Sequence, residues 1–304
     1  MSGRVVECVP NFSEGREEAT LLALEDALTS VAGVTLLGRE ADADHNRSVF
    51  TIAGEPEAVL EAAIRGVGVA AERIDLRTHR GEHPRLGAAD VVPFVPVRGV
   101  TLEECAALAW AAGAEIWRRF AVPVYFYEAA SKVAGRERLE NVRRGQFEGL
   151  LEELASSSSR APDLGEGVLH PSAGAVIVGA RKFLIAFNVN LNTGDLAIAK
   201  AVAKKVRASS GGLPHVKAMG VMLHSRGLAQ VSLNLTDFEV TPVHAAFEAV
   251  QREAAAYGVE VAGSELIGFI PRKAVESAFQ GMLRIERFES ASVIENALDA
   301  KLEA

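Results

Sequence analysis

The 304-residue sequence predicts an α+β protein made of two ferredoxin-like (split βαβ) subdomains. Each half of the chain alternates short β-branched runs with helical patterns in the order strand, helix, strand, strand, helix, strand. The adjacent strands inside each half break the strict alternation that a doubly wound α/β sheet needs. A chain of this length also accommodates two domains of ordinary size.

In the first half, β-branched and aromatic runs predict strands at residues 5–9, 34–37, 48–52, 91–97 and 122–127. Apolar residues at helical spacing predict helices at 19–31, from Pro56 to Ala70, and from Thr101 through Trp117. Pro56 suits a first helical turn, and Thr101 with Glu104 forms the pattern of a capping box. Because prolines interrupt the run at 91–97, it is predicted to be an edge strand or the end of a strand.

The second half repeats this order after a stretch rich in Ser, Pro and Gly at residues 155–167, which predicts a linker or long loop. Strands are predicted at 175–179 and 183–189, as a neighbouring pair, and at 219–223, 229–235 and 259–270. Helices are predicted at 195–208, 245–257 and from residue 272 onward. The sequence therefore predicts subdomains at residues 1–174 and 175–304.

Charge and composition argue against several classes of protein. The 32 Lys and Arg residues against 40 Asp and Glu give a net charge of −8, unfavourable for binding nucleic acid or an anionic membrane. The two cysteines, Cys8 and Cys105, lie far apart among apolar residues and fit neither a disulfide framework nor a zinc motif. The sequence shows no signal peptide and no long apolar segment, so we expect a cytoplasmic protein.

Three of the seven histidines fall in two short polar segments, residues 42–47 (DADHNR) and 79–85 (HRGEHPR). Both lie at predicted ends of strands or helices, where binding residues concentrate. Two solvated loops would also account for this composition. The candidate acids, histidines and arginines of these segments are Asp42, Asp44, Glu82, His79, His83, Arg47 and Arg85.

Residues 79–83 also spell H-x-x-E-H, the inverted zinc-peptidase pattern. That chemistry needs both histidines on one face of a helix, one turn apart. Gly81 inside the segment and Pro84 directly after it disfavour a helix. We therefore predict a loop without a metal, and keep a zinc hydrolase acting through His79, Glu82 and His83 as an alternative.

Weaker signals lie in the middle of the chain. Residues 165–174 form a glycine-rich loop without the spacing of a phosphate-binding loop. Two basic residues adjoin the following strand, and two asparagines alternate with apolar residues, so that they share one face. An interdomain connection and a half-exposed strand explain the same patterns. These candidates are Gly165, Gly167, Gly174, Arg181, Lys182, Asn188 and Asn190.

Several unbroken motifs carry a family resemblance that spans nearly the whole chain. They are ECVPNFSEG from Glu7, GEHPRLGA from Gly81, GARKFLIAFN from Gly179, QVS from Gln230 and DFEVT from Asp237. In these motifs the chain resembles glutamate formimidoyltransferases (formiminotransferases), including the transferase part of the bifunctional formiminotransferase–cyclodeaminase.

The resemblance implies two α+β subdomains packed around a cleft that holds folate, usually in a homodimer. It implies transfer of a formimino group from N-formimino-L-glutamate to N5 of tetrahydrofolate, the co-substrate, in histidine degradation. It assigns the catalytic histidine to His83 and a folate-associated segment to residues 165–174. An acidic residue of the family falls near Glu40, with Asp42 and Asp44 close by.

The residues suit this chemistry. The donor amidine is cationic near neutral pH, so it needs a carboxylate, which Glu82, Asp42 or Asp44 would supply, rather than an oxyanion hole. One histidine with a pKa near 6.5 can take the N5 proton and return it to the leaving glutamate nitrogen. Both substrates carry carboxylates, which arginine and lysine bind well. The basic candidates are Arg47, Arg85, Arg181 and Lys182.

The sequence leaves three other functions open. The first is another folate one-carbon activity on the same scaffold, either formyl transfer from N-formylglutamate or 5-formyltetrahydrofolate cyclisation (a cyclo-ligase). The second is the zinc hydrolase, and the third is a folate-binding protein without catalysis. For each of these functions we expect small-molecule ligands as partners, rather than nucleic acid or a membrane.

Overall fold

A computed structural model describes residues 3–302, and side chains over residues 3–298. The chain forms two compact units that divide between Lys182 and Phe183. The strands are β1 (Val5–Cys8), β2 (Asn11–Phe12), β3 (Val34–Asp42), β4 (Arg47–Gly54), β5 (Ala89–Arg98), β6 (Val124–Glu128), β7 (Val176–Ala180), β8 (Ile185–Leu191), β9 (Val216–Leu223), β10 (Leu228–Leu235) and β11 (Val261–Ile267). The helices are α1 (Glu18–Thr29), α2 (Pro56–Arg73), α3 (Leu102–Phe120), α4 (Leu139–Val142), α5 (Gln146–Ser156), α6 (Leu196–Val206), α7 (Val243–Ala255), α8 (Arg272–Leu283) and α9 (Ile294–Leu302).

The first unit contains the predicted split βαβ arrangement with an extension. Strands β5, β1, β4 and β3 are antiparallel neighbours in that order, and α1 and α2 lie between the strands that they connect in sequence. The short strand β2 also pairs with β4 and β5. Beyond β5, the sheet continues with β7 and β6 as parallel strands. The capping box predicted at Thr101 and Glu104 begins α3.

The second unit repeats the same topology without the extension. Its sheet has the order β11-β8-β10-β9, with every neighbouring pair antiparallel. Val189 and Val231 belong to a buried core that also includes residues of α6 and α7. The predicted ferredoxin-like pattern is therefore confirmed in both units.

The division between the units falls after Lys182 rather than after Gly174. Strand β7 belongs to the first sheet, where all five of its residues are buried. The predicted pairing of 175–179 with 183–189 is wrong, because β7 and β8 lie in different sheets. A continuous apolar run is typical of a strand buried on both faces, but two runs that follow one another do not reveal their partners.

The segment at residues 155–167 belongs to the first unit and is not a linker between the units: its first two residues end α5, and the rest is a loop. The Asp163 carboxylate accepts a hydrogen bond from the backbone N–H of Phe126 at 2.8 Å and pairs with Arg136 at 2.8 Å. The backbone N–H of Val124 donates to the Leu164 carbonyl at 2.9 Å. These contacts hold the loop against β6.

Strand β5 is central, which corrects its prediction as an edge strand or a strand end. It pairs with β1 and β2 on one side and with β7 on the other. Its prolines are tolerated because they fall at irregular places in the sheet. The Pro93 carbonyl accepts the N–H of Val9, at the break between β1 and β2, and Pro96 lies beyond the end of the pairing with β7.

No helix within residues 3–302 is both long enough and apolar enough to cross a lipid bilayer.

In the second unit, strand β9 and helix α6 approach each other closely at Gly220. A Cβ atom on Gly220 of β9 would lie 2.5 Å from the backbone nitrogen of Lys200 in α6. Gly263, in β11 of the same sheet, has open space around its Cα.

We expect Gly220→Ala to lower the free energy of unfolding by about 1–3 kcal/mol, because helix and strand must separate to admit the methyl group. Gly263→Ala is the matched control, and it should be neutral or slightly stabilising. Urea unfolding of both variants measures the difference. Equal stability of the two variants would show that α6 does not approach β9 this closely.

Candidate active site

The structure brings the two predicted polar segments of the first unit together. Asn46, in the turn between β3 and β4, has a φ of 48°, in the left-handed region that asparagine tolerates. Its side-chain oxygen accepts the N–H of Gly15 at 3.0 Å, and its amide donates to the Arg80 carbonyl at 3.1 Å. A Cβ atom on Gly81 would lie 2.2 Å from the His45 carbonyl oxygen, so the segments touch through their backbones.

Residues 79–86 form a loop, as Gly81 and Pro84 predict, and place His83 beside β4. The Arg47 Nη1 atom donates to Nε2 of His83 at 2.5 Å. The ring also bonds to the backbone of Pro84, which has no N–H and therefore accepts through its carbonyl. His83 is thus held as the neutral tautomer with its hydrogen on Nδ1.

The surroundings of His83 favour its uncharged form. Burial and the nearby cations Arg47 and Arg143 lower the pKa of His83 to about 4, and the Asp90 carboxylate partly opposes them. At neutral pH the ring is therefore a proton acceptor. This corrects the ordinary pKa near 6.5 expected from sequence, because the sequence did not show that two arginines lie beside the ring.

Three residues that sequence reasoning missed complete this group. Asn11 of β2 accepts a hydrogen bond from the second terminal nitrogen of Arg47. Asp90 accepts the backbone N–H of Leu86 at 2.7 Å and forms an ion pair with Arg143. Asn11 lies within the motif that begins at Glu7, and Asp90 lies two residues after the motif that begins at Gly81, whereas Arg143 follows the short helix α4 and belongs to no recognisable pattern.

His79 and Arg85 form an internal network. His79 is buried; its Nε2 lies 3.0 Å from the Asn46 carbonyl, and its Nδ1 accepts from Arg85 Nε at 3.1 Å. Burial is the largest cause that lowers the pKa of His79. Arg85 also binds both carboxylate oxygens of Glu148, at 2.9 and 2.7 Å. Both ring nitrogens of His79 are thus engaged, which disfavours the zinc-peptidase arrangement.

Two pockets flank the His79–Arg85 pair. A pocket of about 380 Å³ has Arg77, Arg80 and Arg85 in its wall, with Leu76 and Phe147. A much smaller one, of about 10 Å³, adjoins His83 and its surrounding groups. It is lined by Phe12, Ser13, His45, Asn46, Arg47, His79, His83, Arg85 and Asp90.

The predicted acids lie at the exposed rim of the site. Asp42 accepts the backbone N–H of His45 at 2.8 Å, and this bond is the largest cause that lowers its pKa. The His45 ring lies 6.3 Å from that of His83, centroid to centroid. Asp44 and Glu82 are both exposed, and the backbone N–H of Glu82 donates to the Asp44 carbonyl at 3.4 Å. All three carboxylates thus belong to the two segments that surround His83.

The end of the glycine-rich loop packs against the loop that holds His83. The N–H of Ala88 donates to the Ala173 carbonyl at 2.9 Å. Gly174 has a φ of 69°, and a Cβ atom there would lie 2.3 Å from the Leu86 carbonyl oxygen. Gly165 and Gly167 also have positive φ angles, which explains glycine at these positions by backbone conformation.

Arg181 lies near two groups of the first unit that sequence reasoning did not single out. Burial raises the pKa of Glu7, and the Arg181 charge opposes that effect. Burial also raises the pKa of Tyr127 to about 12, again opposed by Arg181, which hydrogen-bonds to it. Lys182, the next residue, is exposed.

In the second unit, Asn188 and Asn190 share one sheet face with residues of β10, as the alternation predicts. Asn190 lies opposite Gln230, and Asn188 opposite Ser232. Asn190 is buried; its amide donates to Glu265 at 2.9 Å, and its oxygen accepts from Gln230 at 2.8 Å. Sequence reasoning missed Glu265, which pairs with Arg226 at 2.5 Å, because the sequence does not show that β11 lies beside β8.

Among the described residues, no group of three or more His, Cys, Asp or Glu side chains is arranged to hold a metal ion. The histidines of the candidate site are engaged by arginine and backbone groups.

Comparison with known proteins connects this site to one family. Residues 5–181 match the family described as "Formiminotransferase domain, N-terminal subdomain", and residues 186–298 match "Formiminotransferase domain". Proteins named glutamate formimidoyltransferase from Streptococcus pyogenes and Thermoplasma acidophilum are 45% and 41% identical to the chain. These matches cover 97% of this chain, and 99% and 97% of those proteins.

The formimidoyltransferase-cyclodeaminase of Sus scrofa is 44% identical over 280 residues, which are 90% of this chain and 52% of that protein. The match therefore spans about half the length of that bifunctional relative.

The buried pair of Asp90 and Arg143 yields a prediction about stability. We expect Asp90→Asn to lower the free energy of unfolding by about 2–4 kcal/mol, because it leaves the Arg143 charge buried without its counter-ion. The asparagine oxygen still accepts the Leu86 N–H, so the change isolates the lost charge. Glu115→Gln, at an exposed ion pair on α3, is the control and should leave the denaturation midpoint unchanged. Chemical denaturation of both variants is the measurement, and a midpoint for Asp90→Asn equal to the control contradicts the assignment.

Proposed function

Because the chain belongs to the formiminotransferase family, we propose that it is a glutamate formimidoyltransferase. It transfers the formimino group of N-formimino-L-glutamate to N5 of tetrahydrofolate, giving 5-formiminotetrahydrofolate and L-glutamate. The observation that carries this proposal is the neutral ring of His83. The residue lies in a segment that matches the family, and the cations Arg47 and Arg143 lie beside its ring.

His83 moves one proton twice in this reaction. As N5 attacks the formimino carbon, the N5 proton passes to Nε2 of His83. As the bond from that carbon to the glutamate nitrogen breaks, the same proton passes to the leaving nitrogen. No net proton is consumed, and general acid–base catalysis of this kind contributes about 10²–10⁴-fold.

The acids at the rim suit the cationic donor. Asp42, Asp44 and Glu82 lie on the two segments that flank His83, and the fixed carboxylate of Asp42 has a lowered pKa. One of these carboxylates holds the amidinium while N5 attacks. The reaction needs no oxyanion hole. Attack on the carbon neutralises the positive charge of the amidinium and builds up no negative charge that would need hydrogen-bond donors.

The arginines suit the carboxylates of both substrates, although the chain as a whole is acidic. Arg47 and Arg143 lie beside His83, and Arg80 and Arg85 line the pocket of about 380 Å³. Planar guanidinium groups bind carboxylates through two hydrogen bonds. The other positions predicted to bind substrate remain proposals: His79, Gly165, Gly167, Gly174, Arg181, Lys182, Asn188 and Asn190.

Two related folate activities need the same histidine and cations. Formyl transfer from N-formylglutamate and 5-formyltetrahydrofolate cyclisation differ in the donor, not in the groups that bind folate. The rim acids favour a cationic formimino donor over a neutral formyl donor, since only the former is attracted to a carboxylate.

The physiological setting is part of the same proposal. Formiminoglutamate is the donor expected in histidine degradation, and a cytoplasmic homodimer is expected from the family resemblance. Light scattering of the purified protein measures the number of chains in the assembly.

The proposed function is tested with three donors: formiminoglutamate and N-formylglutamate, each with tetrahydrofolate, and 5-formyltetrahydrofolate, which carries its own formyl group and is assayed alone with ATP. We expect turnover to be fastest with formiminoglutamate, and His83→Ala to reduce kcat by about 10²–10⁴-fold. His224→Ala, in the exposed turn before β10, is the matched control and should behave as wild type. Faster turnover with another donor replaces the proposed substrate, and near-normal kcat in His83→Ala removes the assigned base.

The amidinium-binding acid is identified by neutralising each candidate in turn, as Asp42→Asn, Asp44→Asn and Glu82→Gln. We expect one of them to reduce kcat/KM for formiminoglutamate by about 10-fold or more, because a hydrogen bond to a charged group contributes about 1.5–3 kcal/mol and about 1.4 kcal/mol is tenfold. Glu57→Gln on the exposed side of α2 is the control. If all three variants keep the wild-type kcat/KM, the rim acids do not hold the donor.

A further inference from the structure

Arg47 occupies the atom of His83 that the proposed reaction uses. Its Nη1 donates to Nε2 of His83, and its Nη2 donates to Asn11. Its Nε is buried and has no hydrogen-bond partner among the described residues. The guanidinium is therefore only partly satisfied by the protein, which is costly for a half-buried cation.

This contact conflicts with catalysis by His83. In the tautomer with hydrogen on Nδ1, Nε2 carries the one lone pair of the ring that can accept a proton. While that lone pair accepts from Arg47, it cannot receive the N5 proton of tetrahydrofolate. Arg47 must therefore leave Nε2 before the group transfer begins.

A substrate carboxylate is the group suited to move it. A guanidinium binds a carboxylate through two parallel hydrogen bonds and the attraction of opposite charges, whereas the neutral His83 ring offers it one acceptor and no charge. The nearest acid of the protein, Asp90, is already paired with Arg143, and Asp42 is bonded to His45. The carboxylate that competes for Arg47 thus comes from the ligand.

We propose that Arg47 is a positioning residue that caps the His83 lone pair in the free protein and is drawn away by a substrate carboxylate. The base is then exposed only when substrate is present. This inference rests on the role of His83 in the proposed function.

The charges around His83 make the departure of Arg47 from Nε2 useful for both proton transfers. Arg47 faces the ring from β4, Arg143 from the segment after α4, Asp90 from β5 and His45 from the β3–β4 turn. Burial is the largest cause that lowers the pKa of His83, the two arginines add to it, and Asp90 raises it. Pairing Arg47 with a carboxylate cancels one of the two cations, so the pKa rises towards its ordinary value. His83 then becomes a better acceptor for N5 and still returns the proton to glutamate.

The cap is tested first in the free protein, by NMR titration of His83 in wild type, Arg47→Met and Arg47→Lys. We expect a pKa of about 4 in wild type, a value closer to 6.5 in Arg47→Met, and an intermediate value in Arg47→Lys. Arg65→Met, which removes an exposed arginine of α2, should titrate as wild type. An unchanged His83 pKa in both Arg47 variants overturns the cap, and Arg47→Lys gives the answer if Arg47→Met does not fold.

The release is tested by adding saturating L-glutamate, the proposed product, to wild type and Arg47→Met. We expect a larger rise of the His83 pKa in wild type, where the cap is lost, than in the variant, where only the ligand charge acts. The ¹⁵N shift of Nε2 should also change from that of a hydrogen-bond acceptor to that of a free lone pair. Equal changes in both proteins, or none in wild type, overturn the release.

Kinetics separate this inference from the proposed function. For wild type we expect kcat/KM to fall at low pH only near 4, since the base must be unprotonated in the free enzyme. In Arg47→Met the fall should move towards pH 6.5, with a higher KM for the donor. If wild type turns over none of the three donors, the proposed function fails, whereas the titrations of the free protein still decide whether Arg47 caps His83.

Discussion

The candidate site depends on the bonds that Asn46 makes between two loops. Its side chain joins the β3–β4 turn both to Gly15 and to the loop after His79, and its own carbonyl faces the His79 ring. These bonds set the distance between Arg47 on one segment and His83 on the other. Asparagine is suited to this position because it tolerates a positive φ and offers both a donor and an acceptor.

Charge around the site is arranged in two zones with opposite consequences. Near His83, partly buried arginines favour the neutral ring, and burial with Arg143 lowers the pKa of Arg47 itself to about 10. At the exposed rim, the carboxylates face solvent, and a hydrogen bond from the His45 backbone lowers the pKa of Asp42. Under the proposed function, the cationic amidine and the anionic carboxylates of the donor therefore meet different groups.

The two units share a topology but use their sheets differently. The first adds the parallel strands β7 and β6, and the segment between β6 and β7 in the chain supplies Arg143 and Glu148. The second keeps the four-stranded arrangement, and one face of it carries the linked polar side chains of Asn190, Gln230 and Glu265. The fold therefore provides the scaffold, and the chemistry follows from the side chains placed on it.

The sequence by itself determined the order of most strands and helices, though not β2, α4 or α5, and it determined the two polar segments that carry His83 and Arg47. These features follow from local rules: β-branched runs, capping residues, and glycine or proline that stop a helix. Only the tertiary structure decided that β5 is central, that β7 joins the first sheet, and that Asn11, Asp90 and Arg143 surround the histidine. Strand partners and the charges beside a buried ring are set by residues distant in sequence, and no local pattern encodes them.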